Sequence, residues 1–447
     1  MSGGTGGTAT VVGSRLRPRL HLTPRSGWIN DPHGLVHHDG RWHVFTQSVP
    51  DATGWRVHVH WGHATGPDLL SLTEEPLAIA PGDGDDGIWT GCLVTGDDGR
   101  VRVFYTAVTE DALHLGRVRV AVADDDDLAS WTKGEVVLGT PVEPAVTAFR
   151  DPVVHRRDGR WWMTVGAELT DGRAAALAWS SDDLESWRPE GVAASRPDSA
   201  RDPWTGTLWE CPQVVDVGDR QVLVTSVWAR EVSYDTAWAV GRWHDGRFEA
   251  EHWADLSAGT PDRGPYAPSA FTDAEGRPAL VFWLRGVAGP ADDASDPDAP
   301  PADDGSPLGW AGAISVPWRV ELVDGRPRLT VHPDVEAHAG DEVPAGPVAG
   351  LAALVDWTPA SGDRLVVRAG DAADSVVTLT VADDALVVAG RDAPTTLPWA
   401  GGAVHVVVDG PVVEVVAPGG ITAALLRPDA DDLHVAGDGD LVVRPLR

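Results

Sequence analysis

Lysine, cysteine and tyrosine are scarce in this chain of 447 residues: Lys133 is the only lysine, Cys92 and Cys211 are the only cysteines, and three tyrosines stand against 21 tryptophans. Two cysteines cannot make a disulfide framework, so the fold must come from packing, with both expected as buried free thiols. No apolar run reaches the roughly 18 residues of a membrane span, and the N-terminal stretch lacks the apolar core of a signal peptide. A cytoplasmic protein with no membrane partner is expected. Basic residues number 35 against 67 acidic ones, a net charge of -32. A surface so short of cations has no stripe to neutralise phosphates, which excludes a nucleic-acid partner and leaves neutral substrates open. Long helical periodicity is missing as well. What remains is ordinary for a globular chain, 43% apolar and 23% charged, and long enough for two or three domains. Most of the tryptophans are core residues by default, yet indole faces also stack well on sugar C–H surfaces.

A repeat organises the first three quarters. Acidic-Gly-Arg turns precede strand-like apolar runs at Asp39-Gly40-Arg41, Asp98-Gly99-Arg100, Asp158-Gly159-Arg160 and Glu275-Gly276-Arg277, with a looser copy at Gly218-Asp219-Arg220. A second marker keeps the same beat at Asp68-Leu69, Asp127-Leu128 and Asp183-Leu184. Asp-Gly between alternating apolar residues is a strong hairpin signal, so each copy reads as a small antiparallel sheet. Five such units of about 60 residues with no covering helices predict a five-bladed β-propeller. The expected organisation is all-β: a tail over 1–18 without order, a propeller catalytic domain over 19–335, a linker over 336–350 and a β-sandwich over 351–447. A Pro/Asp-rich stretch from about Val287 to Pro307 reads as a mobile loop in the fifth unit.

A proline precedes four of the turns by six or seven residues, at Pro32, Pro152, Pro212 and Pro268. Proline cannot donate to a central ladder and pushes its predecessor to extended geometry, so each marks the start of an inner strand. Three of these sites carry an acid: Asp31, Asp151 and Glu210. One Asp-Pro pair is ordinarily a turn cap. Three acids at one repeat position converge on the central channel, where repulsion raises at least one pKa and supplies an ionised and a protonated carboxyl together. That is the requirement of glycoside hydrolysis. Glu210 stands two residues before its proline and Asp31 only one, so irregular backbone is expected at Glu210-Cys211.

These residues match a known pattern. Trp28-Ile29-Asn30-Asp31-Pro32-His33-Gly34, Phe149-Arg150-Asp151-Pro152 and Glu210-Cys211-Pro212 resemble the Trp-Met-Asn-Asp-Pro-Asn-Gly, Arg-Asp-Pro and Glu-Cys motifs of the family-32 glycoside hydrolases, the invertase, levanase and inulinase group. Trp61-Gly62-His63, Trp89-Thr90-Gly91-Cys92, Tyr266-Ala267-Pro268 and Gly309-Trp310-Ala311 are similar to further blocks in the same order. The resemblance implies a retaining enzyme that cleaves terminal β-D-fructofuranosyl residues from sucrose, fructo-oligosaccharides or fructans. Asp31 would be the nucleophile, Glu210 the acid and base, and Asp151 the transition-state stabiliser. Substrate contacts would fall to Asn30, Gln47, Trp55, Trp89, Thr90, Arg150, Cys211 and Tyr266, with Cys211 tuning its neighbours rather than attacking.

Ile29 and His33 replace the family's Met and Asn, and Phe45-Thr46-Gln47-Ser48-Val49-Pro50 lacks the family's Tyr and Asn, so the leaving group is left open. His33 is expected near the pocket. The other early histidines, among them His43, His58, His60 and His63, have no ligand spacing with a third partner, so neither a metal nor another cofactor is expected. A transfructosylase, an inverting arabinose- or xylose-directed propeller and an inactive sugar-binding propeller are the alternatives; oligomeric state is open.

Overall fold

The computed structural model describes residues 15–259, 263–288 and 309–447. Each Gly-containing turn of the repeat joins the first two strands of an antiparallel unit, and left-handed backbone at Asp39-Gly40 and Asp158-Gly159 makes the tight reversal. Gly87–Thr95 through Trp131–Leu138, Val146–Arg157 through Arg188–Pro197, and Leu208–Val217 through Arg247–Asp255 form three separate four-stranded sheets.

The remaining strands before residue 332 are not two separate sheets, as the repeat predicts, but one of nine strands. Trp310–Ile314 pairs antiparallel with Pro278–Ala288 and parallel with Gly27–His38, in the register Gly27 to Trp310 and Trp28 to Ala311. The inner edge of the first strand would otherwise leave main-chain donors open, and the chain's later strand satisfies them.

Neighbouring sheets pack through alternating large and small side chains. Ala174, Ala176 and Ala178 receive Trp162, Trp209 and Trp243, while Phe104 and Phe149 meet Met163 and Leu177 in the next interface. Ala-rich strands thus give the indoles room.

The C-terminal strands form a six-stranded and a five-stranded sheet. In Val404–Asp409 three valines, Val406, Val407 and Val408, run consecutively because the strand is covered on both faces. Val404, Val406 and Val408 enter the core between the two sheets, whereas Val407 points the other way and packs with Leu354, Val416 and Trp318. The five-stranded sheet is a middle layer buried on both faces.

Gly346–Val348 pairs with Leu433–Gly437, so the last residues of the expected linker already belong to a sheet. At the other end, the expected tail lies outside the described residues up to residue 14, but Arg15 to Pro18 are packed. Arg17 donates to Thr23 Oγ1 and the Pro24 carbonyl and lies 4.5 Å over Trp310, and Arg15 pairs with Asp431. The expected mobile loop lies outside the described residues from 289 to 307. Among the described residues no helix is long and apolar enough to cross a membrane.

Where the middle layer meets the repeat-built sheets, His21 is fully buried between two acids. Its Nδ1 donates to Asp409 Oδ2 at 2.9 Å and its Nε2 to Glu414 Oε1 at 2.8 Å. Asp409 also accepts the backbone N–H groups of Arg19, Leu20 and His21, and Glu414 those of Val316 and the Trp318 indole. Although burial favours the neutral ring, the two acids push His21 up to about 9. Buried charges survive only when paired in this way.

Because the folded value of about 9 lies above the ordinary 6.5, the stabilisation is complete below about pH 6.5 and is lost as pH rises through 9. Thermal melts should show Tm falling over that window in the wild type. His21→Gln should lower Tm at pH 6.5 and flatten the alkaline decline; an unchanged decline would remove His21 from this role.

Candidate active site

The strands carrying the prolines slip register where the acids stand: between Ile29 and Pro32, across Asp151, between Glu210 and Gln213, and between Tyr266 and Ser269. Asp151, Cys211 and Ala267 take left-handed backbone with φ of 66°, 50° and 44°, an unfavourable choice for a side-chain-bearing residue before proline. The strand that lacks the proline slips at Gly91, where a Cβ would lie 1.9 Å from the Phe104 carbonyl oxygen. The bulges therefore recur in every inner strand, including the one anticipated at Glu210-Cys211.

Hydroxyls from the adjoining sheet hold three of these bulges. Thr106 Oγ1 accepts the Asp151 N–H at 2.7 Å and donates to the Thr90 carbonyl, and Ser226 Oγ accepts the Ala267 N–H at 3.1 Å. Thr164 Oγ1 donates to the Pro212 carbonyl at 2.9 Å. Each sheet thus fixes the strained residue of the next.

Asp31, Asp151 and Glu210 all line one cavity of about 500 Å³. Around Asp31 the donors are neutral: Asn30 Nδ2 to Oδ1 at 3.0 Å, Thr90 Oγ1 to Oδ2 at 2.6 Å and Gln47 Nε2 to Oδ2 at 3.2 Å. Burial, then the Glu210 charge, push Asp31 up to about 6. Glu210 instead meets the site's guanidinium. Arg150 Nε and Nη2 both reach Oε1 at 2.8 Å, and the Tyr266 hydroxyl donates to Oε2 at 2.5 Å. Asp151 accepts the Cys211 N–H at 3.1 Å, and burial followed by the charge of Glu210 holds its carboxyl well above the usual range.

Asn30, Gln47, Trp55, Trp89, Arg150 and Tyr266 also line the cavity. Thr90 and Cys211 line a narrower cavity of about 90 Å³ behind the acids, from which Thr90 Oγ1 reaches Asp31. The Cys211 thiol lies 3.7 Å from Asp151 and 4.0 Å from Asp31, and burial and the three carboxylates push it up, so it stays protonated. His33 faces the same rear cavity rather than the pocket, packed 4.0 Å from Trp61, and burial pushes it down to about 3.

Sequence reasoning did not place Trp28, Trp283, Trp228, His114, Glu231 or Ser233 in the cavity. Trp28 sat inside a quoted motif, and its edge contact with Trp283 at 5.5 Å builds one wall. The others sit in or near hairpin loops, where no repeated spacing points to them. Buried Asn30 Oδ1, Arg150 Nη1, Trp89 Nε1 and Trp283 Nε1 have no hydrogen-bond partner among the described residues. Acceptors and donors of this kind on an aromatic wall suit a polyhydroxylated ligand.

A nearly all-β protein that gathers three carboxylates, one guanidinium and several indoles in one cavity has the makings of a carbohydrate-active enzyme. Residues 21–333 match the model of the glycosyl hydrolases family 32 N-terminal domain, and the chain belongs to that family. It is 30% identical over 339 residues to a sucrose-6-phosphate hydrolase of Zymomonas mobilis, covering 72% of this chain and 62% of that one. It is 31% identical to a raffinose invertase of Escherichia coli, covering 70% and 64%. The chain thus spans less than two thirds of these relatives' length. By fold it is similar to a family-32 β-fructofuranosidase of Bombyx mori, with a TM-score of 0.79 at 20% identity over 98% of this chain and 95% of that one. The sucrose-6-phosphate hydrolase of Lactobacillus gasseri gives 0.78 at 21%, over 97% and 94%.

A folded value of about 6 for Asp31 lies above the ordinary 3.8, so its ionised form is held at a cost to stability at neutral pH that fades as pH falls through 6 toward 4. Asp31→Asn should therefore melt at least roughly 2 °C higher than wild type at pH 7. The gap should close near pH 4.5. A variant that melts lower at pH 7 would contradict the burial argument.

Proposed function

We propose that this protein is a retaining glycoside hydrolase that removes terminal β-D-fructofuranosyl residues through a fructosyl-enzyme intermediate. Its catalytic unit is a five-bladed propeller from residue 19 to about 335, with the first and fifth blades fused through Trp310–Ile314, followed by a β-sandwich from about residue 346. Asp31 attacks the anomeric carbon, Glu210 protonates the leaving oxygen, and Asp151 holds sugar hydroxyls as oxocarbenium character develops. The relatives named for sucrose 6-phosphate and raffinose support a fructosyl donor as substrate.

The observation that carries the reading is the unequal treatment of two carboxylates. Three acids share one guanidinium, so the cluster retains a proton near neutral pH, which is the proton a leaving group needs. Asp31 is aimed by three neutral donors that leave it nucleophilic. Glu210 faces Arg150 and Tyr266, which fix both of its oxygens for proton delivery to the leaving group and then for activation of water.

Asp31→Asn and Glu210→Gln should each lower kcat by a factor of about a thousand or more with the fold intact, read by fructose release and by circular dichroism. Azide should restore turnover to the Glu210 variant alone, on a fructoside with a good leaving group, giving the β-fructosyl azide. In the wild type kcat/KM should fall as pH drops through about 6, where Asp31 takes up a proton. An α-configured first product by NMR would mean inversion and would end the proposal.

A further inference from the structure

At the mouth of the cavity His114 and Glu231 face each other from different sheets, Nε2 to Oε1 at 3.4 Å. Neither is held there by chance. The His114 carbonyl accepts the Phe149 N–H at 2.8 Å, beside Arg150, and Gly116 donates back to the Phe149 carbonyl at 3.0 Å. Glu231 sits in the two-residue turn between Arg220–Ala229 and Val232–His244, where Arg230 and Glu231 both have positive φ, 51° and 64°. Such a turn ordinarily uses Asn-Gly. This hairpin accepts strain and presents a carboxylate to the cavity instead.

The pair lies on the leaving-group side. Glu210, which must reach the leaving oxygen, pairs with Ser226 in the same sheet, and Trp228 and Glu231 follow within that hairpin. His114 lies 6.0 Å from Trp228, with Arg150 5.2 Å over the same indole. The charged groups lining the cavity are four acids, Asp31, Asp151, Glu210 and Glu231, against one guanidinium, that of Arg150. Arg150 is bound to Glu210 and His114 faces Glu231. Nearby arginines turn elsewhere, Arg56 to the Trp55 carbonyl and Arg230 to Asp198 at 3.1 Å. The sequence from 289 to 308 contains no Lys, Arg or His.

We infer that Glu231, held by His114 over Trp228, selects an uncharged sugar as leaving group and rejects a phosphorylated one. This rests on the hydrolase reading and specifies its substrate class. A phosphomonoester carries nearly two negative charges at neutral pH and would approach Glu231 in a site already net negative. Like-charge contact of this kind discriminates strongly, whereas a neutral ring can stack on Trp228.

The test compares kcat/KM for sucrose and sucrose 6-phosphate on the full chain. Wild type should favour sucrose by at least about tenfold, with a gap that narrows as salt is raised. Glu231→Gln should raise the phosphate-to-sucrose ratio and Glu231→Lys should raise it further, through KM for the phosphorylated sugar. His114→Ala, which removes the group facing Glu231, should lower it. A purely structural role would not move the ratio in opposite directions. Equal or better use of sucrose 6-phosphate by the wild type, or a ratio unmoved by both Glu231 substitutions, overturns the inference while leaving the hydrolase intact. Failure to release fructose from sucrose, sucrose 6-phosphate and inulin alike overturns the hydrolase reading and this one with it.

Discussion

Bringing Asp31, Asp151 and Glu210 to one cavity with a single guanidinium among them is the constraint to which much of this architecture answers. Carboxylates repel, and burial raises the free energy of every ionised one. The chain meets this by distributing the burden over sheets. Each acid enters from a different inner strand, and neutral donors from neighbouring strands satisfy the oxygens that Arg150 does not reach. The left-handed bulges and the hydroxyls that brace them serve the same end, since an ordinary extended strand would turn at least one acid away from the channel. Local strain at Asp151 and Cys211 is the counterpart of convergence at the centre.

A related arrangement appears between the two β-rich parts. There two acids, Asp409 and Glu414, share one imidazolium, and backbone and indole N–H groups absorb the remaining lone pairs. In the cavity the balance leaves negative charge and a raised carboxyl, which suits proton transfer. At His21 the acids are saturated with donors and hold a cation far above its usual range. Hydrogen-bond saturation, more than burial, separates the reactive cluster from the structural one.

Much of this was legible in the sequence because it repeats. Asp-Gly turns have a local cause, the need for positive φ, so their period survives in the residues themselves. The prolines likewise mark one structural position, and their alignment puts Asp31, Asp151 and Glu210 at equivalent places in three units. What could not be read is whatever depends on one copy alone. His114 and Glu231 occupy loops of different length in different units, and nothing in their spacing ties them to each other. Thr90 and Cys211 adjoin motif residues, but which side of a bulged strand each side chain takes is not written in the spacing. The fusion of the first and last units was invisible for a related reason: the residues Gly309-Trp310-Ala311 carry no mark of being a parallel partner to a strand nearly 300 positions earlier.

That parallel pairing has a consequence for how the chain is made. Trp28 takes its partner from Ala311, so the inner edge of the first sheet stays exposed until some 280 further residues have been translated. At ~5–20 residues per second, that is roughly 14 to 56 seconds during which an unpaired strand edge waits on the ribosome. The three middle sheets can close on their own hairpins meanwhile, but the nine-stranded sheet cannot be completed until its last strands are made. A nascent chain of this design depends on slow encounter with itself, and on whatever shields an open edge from its neighbours in a polysome.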